Sequence, residues 1–290
     1  QFDLILKKYL ASRYEKLKNY KIIVLGHLQN FTKEEIETLE KLTDAGVNII
    51  ATNQTLIDSP EALKDLFGTT VKEETFDAFK YYLQLKDQAI IQRQDQLHQC
   101  FLDCNFMKCD FDSRSERYLP LLDKGREGPP EMIGGHVPTN WHGVSVFKKN
   151  NSKMTYIPWE IGRMYYKYGF LAHGDIFLDV IDHLNPEIMQ SFATNAPPQV
   201  EITFNKFRYN SDTTDTYNKY IINLINLSGF NGRSYFEPIK VEDIHFEIEV
   251  DHKPSKIYCL KSGKQLAFSG ESKISIVLDG LHEFEAIVIE

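Results

Sequence analysis

The chain has 290 residues and a formal charge of -8, with 42% hydrophobic and 26% charged residues and only 16 glycines and 11 prolines. That composition excludes disordered and collagen-like classes and leaves room for two domains, each with its own core. The acidic balance argues against nucleic acid or an anionic membrane surface as partner, because both repel an acidic protein, so neutral ligands and protein partners fit better.

No apolar run approaches the roughly 18 residues of a spanning helix. The opening QFDLILKKYLASRYEK lacks the basic-then-apolar layout of a signal peptide. A soluble protein is expected, with the cytoplasm favoured over secretion, although a start on Gln1 rather than Met predicts a processed or truncated chain.

Residues 20–26, YKIIVLG, form a continuous apolar run ending in Gly, which predicts a strand buried on both faces. A helix follows. Thr32-Lys-Glu-Glu35 is a capping box, Ile36, Leu39 and Leu42 share one face, and Gly46 sits where a left-handed cap belongs. Residues 47–52, VNIIAT, predict a second strand, parallel to the first and joined right-handedly. Ser59 and Pro60 open another helix that reaches Gly68.

Residues 72 to about 140 are polar, rich in glutamine from Gln88 to Gln99, and end in GREGPPEMIGG. They predict an inserted helix followed by a long loop. Residues 143–148 and 153–158 form a hairpin-like pair, and a last helix spans 173–184 before Asn185-Pro186. The TNAPP stretch at 194–198 marks a junction. Beyond it apolar residues alternate with period two, as in Ile244, Phe246, Ile248 and Val250, predicting a β-sandwich. The predicted architecture is an α/β domain over 1–195, with an insertion at about 72–140, and a sandwich over 196–290.

Cys100, Cys104 and Cys109 lie together as C-x3-C-x4-C, near His98, Asp103 and Asp110, which raises a zinc reading. Zinc pairs are usually C-x2-C. A spacing of four beside Phe101, Leu102 and Phe106 suits a packed turn or buried helix face. Structural thiols are favoured over a metal or a disulfide, and His136 and His142, six apart in a Gly/Pro loop, match no metal spacing. No metal and no cofactor is predicted.

Neither G-x-G-x-x-G nor G-x4-G-K-[ST] occurs, which argues against a nucleotide cradle. A nucleophile elbow would fall at Ile50-Ala-Thr-Asn-Gln-Thr55, which holds no Cys, Ser or Gly. Glycoside hydrolysis needs two fixed carboxylates. A (β/α)8 barrel of roughly 250 residues does not fit within 1–195, and Glu131 and Glu160 are the acids with the most site-like neighbours.

Taken in order, NYKIIVLGHLQNFTKEEIETLEKLTDAGVNIIATNQT and then DLFG at 65–68 resemble the β-galactosidase trimerisation domain of clan-A glycosidases, a degenerate class I glutamine-amidotransferase-like fold. The GPPE of 128–131, YIPWEIGRMYYKYG, APPQVEITF and IINLINLSGF are similar to the C-terminal part of bacterial hypothetical glycosyl hydrolases carrying that module and a β-sandwich. The resemblance implies a flavodoxin/amidotransferase-like parallel sheet with helices on both faces. It further implies self-association, as a trimer or another homo-oligomer, and a catalytic barrel upstream of Gln1. A first strand and helix of the module are missing, the amidotransferase Cys position falls on or near Asn53 or Gln54, and no catalytic residue carries across.

The expected function is a non-catalytic assembly and accessory module with a part in shaping a neighbouring active site. A stand-alone carbohydrate-binding protein is the alternative, and a glycosidase in its own right a third. Candidate interface or sugar contacts are Trp159, Glu160, Arg163, Tyr165, Tyr166, Glu131, His136 and Trp141. The aromatic residues among them suit sugar stacking, a protein interface or the core itself. Pro158-Trp159-Glu160 lies at the carboxyl end of a strand, the edge where α/β sheets bind ligands and partners.

Overall fold

The computed structural model describes residues 2–75, 81–123, 125, 134–187, 191–210 and 216–290. The chain forms two units, residues 4–188 and residues 189–290 with the first three.

In the first unit a seven-stranded sheet begins with three parallel strands, β1 (Ile22–Gly26), β2 (Asn48–Thr52) and β9 (Ser152–Ile157). It continues antiparallel through β8 (Pro138–Lys149), β7 (Glu116–Leu122), β4 (Tyr81–Gln84) and β5 (Gln99–Leu102). A separate antiparallel pair joins β3 (Thr69–Thr75) to β6 (Phe106–Phe111).

The apolar run of β2 serves two cores because its side chains alternate. Ile49 and Ala51 pack with Leu39 and Leu42 of α2 (Lys33–Asp44) and Leu63 and Phe67 of α3 (Pro60–Phe67). Ile50 instead packs with Met164 of α4 (Ile161–Tyr168) and Ile176 and Val180 of α5 (Leu171–Leu184). Helices therefore cover both faces of the parallel half. The capping box at Thr32 and Glu35 forms in both directions, whereas Ser59 makes no side-chain cap bond and α3 starts on Pro60 alone. At Gly68 φ is +59°, and a Cβ would meet the Phe147 ring at 2.8 Å, so both conformation and space require glycine there.

Two expectations are corrected. The sheet is mixed, with four of its seven strands antiparallel to their neighbours. Residues 72–140 hold no helix among those described and supply β4 to β7 instead. Strands such as YYLQ and QCFL are too short for alternation to show, and partners distant in sequence stabilise them. The irregular stretch between them is tied to α5. There Asp179, fully buried, accepts from the Gln92 and Arg93 amides at 2.9 and 3.2 Å and from the Arg93 guanidinium at 2.5 Å.

The second unit is a sandwich of two antiparallel four-stranded sheets. One orders β10 (Phe192–Thr194), β13 (Val241–Glu249), β16 (Lys273–Leu281) and β15 (Phe268–Gly270), and the other β11 (Val200–Asn210), β12 (Thr216–Asn226), β17 (Phe284–Ile289) and β14 (Ile257–Cys259). The alternating residues Ile244, Phe246 and Ile248 meet Ile222, Leu224 and Ile287 in one core. No helix among the described residues is long and apolar enough to cross a membrane.

Candidate functional site

The three parallel strands end together at Gly26, Thr52 and Ile157, and the loops leaving them are conformationally unusual. His27, Asn30, Asn53 and Leu56 all have positive φ, four of the eight such non-glycine residues among those described. Left-handed backbone costs about 1–2 kcal/mol for such residues and persists where surrounding structure enforces it. Enforcement is visible. The Thr55 hydroxyl lies 3.0 Å from the Leu25 carbonyl and 2.8 Å from that of Thr52, and accepts from the Leu28 amide at 3.1 Å. Leu56 is fully buried and its amide donates to Leu28 at 3.0 Å.

Asn53 follows the last residue of β2, at the turn that leaves the strand, with φ +46°. Its amide N–H donates to the Ile157 carbonyl at 2.8 Å, and its carbonyl accepts from the Tyr156 hydroxyl. Its own Oδ1 and Nδ2 are buried without a partner among the described residues. The nitrogen lone pair of a carboxamide is delocalised into its carbonyl, which makes the Asn53 side chain a weak nucleophile.

A continuous hydrogen-bond chain crosses the same edge. The Gln29 amide donates to Gln54 at 2.8 Å, Gln54 donates to Glu74 at 2.6 Å, and the Asn105 side chain reaches Glu74 at 3.4 Å. The Asn105 backbone N–H then donates to Glu160 at 3.2 Å, and Arg163 donates to the same Glu160 oxygen at 2.8 Å. Both carboxylates are engaged by neighbouring donors, and the cluster presents amides and a paired cation to solvent. Such a surface is suited to recognition by hydrogen bonding.

Of the predicted site residues, Glu160 and Arg163 belong to this edge, and Tyr165 and Tyr166 follow on α4, 43% and 92% exposed. Trp159 is fully buried, its indole N–H donating to Gly143 at 3.0 Å. Its ring is core and is closed to sugar or partner, because apolar neighbours and a backbone acceptor satisfy it completely. His136 and Trp141 stand on the antiparallel half. The His136 Nδ1 is 3.0 Å from the Gly125 amide and its ring lies 4.9 Å from Tyr82, while Trp141 is partly buried against the core. Glu131 lies outside the described residues. Gln29, Glu74 and Asn105 escaped sequence reasoning, and Gln54 was named only as a possible elbow position, since single polar side chains carry no spacing signal.

Burial pushes the thiols of Cys100 and Cys104 up to about 12, and that of Cys109 upward as well. As protonated thiols they are poor nucleophiles and poor metal ligands. All four cysteines are unpaired and buried.

Among solved structures, the fold is similar to that of α-L-fucosidase isoenzyme 2 from Paenibacillus thiaminolyticus, with a TM-score of 0.68 and 14% identity over 98% of this chain and 44% of that one. It is also similar to β-galactosidase from Bacillus circulans sp. alkalophilus, at 0.57 and 13% over 93% and 33%. β-Galactosidase from Rahnella sp. R3 follows at 0.53 and 11% over 94% and 32%. The chain spans less than half of the first and about a third of the others. No protein-family model matches the chain, and no curated protein is similar to it.

Proposed function

We propose that the chain is an assembly and accessory module of a glycoside-hydrolase-like protein, an amidotransferase-like α/β domain of the trimerisation type followed by a β-sandwich. It self-associates and helps to wall a neighbouring active site, while the bond-breaking residues reside in an upstream barrel. One observation carries this reading: nearly the whole chain corresponds in fold to only a third to 44% of the length of glycoside hydrolases. The carboxamides of Asn53 and Gln54, at the turn after β2 where an elbow nucleophile would fall, agree with it. The carboxyl-edge chain from Gln29 to Arg163, with the exposed Tyr165 and Tyr166 beside it, is the contact surface in this reading. Unpaired buried thiols suit a reducing compartment, so the cytoplasm is the proposed location. Light scattering on the purified chain tests it. A homo-oligomer, a trimer in the first instance, is the expected result, and a monomer at about 50 μM, far above a micromolar dissociation constant, sinks the proposal.

A further inference from the structure

We propose that residues 4–188 also hold a binding pocket for a single neutral sugar ring, between β5 and the start of α5. This goes beyond the assembly role and does not depend on it. The pocket is a groove open to solvent, with a volume of about 350 Å³, room for one small ring. Phe101, Phe170, His173, Gln94 and Gln99 line it together with Cys100, and no charged side chain does, in a protein whose residues are 26% charged. An ionic occupant would find no counter-charge in that lining.

The two phenyl rings are fixed before any ligand arrives. Phe170 stacks on Tyr168 at 5.4 Å and lies at 23° to His173, while Phe101 meets Tyr168 and Tyr82 edge-on. Phe170 is still half exposed, so it offers a flat apolar surface to the C–H face of a pyranose at little ordering cost.

Polar groups complete the match. The Gln94 Nε2 is held by Asp175, which orients the amide and leaves its carbonyl oxygen to accept from a hydroxyl. His173 is 1% exposed, and its ring nitrogens have as hydrogen-bonding neighbour among the described residues only the Cys100 thiol, at 3.5 and 3.9 Å. His173 and Cys100 therefore form the closed floor of the pocket, and the side-chain amides of Gln94 and Gln99 are the groups that meet ligand hydroxyls. An apolar ring leaves these groups unmatched and an ion lacks a counter-charge, whereas a sugar answers both.

Saturation-transfer NMR on the unmodified chain is the test, with D-galactose, L-fucose, D-glucose and D-mannose as separate probes and phenol as apolar control. Transfer to at least one sugar is expected, with a dissociation constant of about 1 mM. Phe170→Tyr should keep it, and Phe170→Leu, which removes the flat ring at a half-exposed position, should weaken it about tenfold. Emission from buried Trp159, whose ring is 5.4 Å from His173, verifies that each variant is folded. Transfer to none of the four sugars overturns the proposal, as does sugar transfer unchanged in Phe170→Leu, or binding of phenol alone.

Discussion

At the residue scale the Tyr156 hydroxyl is a sharp probe of the carboxyl edge, because it donates to the carbonyl of Asn53 from a fully buried position. Tyr156→Phe leaves that carbonyl unpaired and should lower stability by about 1–3 kcal/mol in urea titration. His173 gives a pH signature. Burial lowers its pKa to about 4 from 6.5, so between those values the unfolded chain binds more protons than the folded one. Stability is therefore full above about pH 7, falls as pH drops through 6.5, and stops falling from this cause below about 4. By pH 5 the loss should reach about 2 kcal/mol, and His173→Phe should flatten that part of the urea-midpoint profile. Tyr166, 92% exposed, is the opposite kind of residue. In the proposed self-association, Tyr166→Asp should shift the balance toward monomer while moving the melting temperature by no more than about 2 °C, as scattering and calorimetry would record.

At the scale of elements, order in the irregular segment between β4 and β5 depends on α5 more than on its own sequence. Asp179 gathers two backbone amides and a guanidinium from residues 92 and 93. Asp179→Ala strands the two backbone amides, while the guanidinium keeps Asp182 at 2.6 Å, and should cost about 1–3 kcal/mol, with hydrogen exchange rising first across residues 85–97. This also explains why the segment was misread as an inserted helix. Nothing local in a glutamine-rich stretch reveals an acceptor 87 residues away. By contrast, α2 was legible at both ends because its capping box and apolar stripe are local, and the parallel pairing of β1 with β2 followed because the intervening helix carries the chain back to the edge where β1 began.

At the scale of the molecule, each unit owns its core: two clusters flank the mixed sheet of residues 4–188, and one fills the sandwich. Residues 4–188 and 189–290 produced separately should therefore each give dispersed amide NMR spectra and cooperative melting; a collapsed spectrum from either piece would contradict independent cores. By itself the sequence determined the β-α-β start, the glycine cap at Gly68 and the period-two sandwich. These depend on hydrogen-bonding and burial patterns repeated within a few residues. Only the tertiary structure decided that the sheet turns antiparallel after β9, that Trp159 is core, and that Gln29, Gln54, Glu74, Asn105 and Glu160 form one chain. Those outcomes rest on contacts between residues far apart in sequence, and a lone amide or ring reads the same on a buried face as on an open one until its partner has been brought to it.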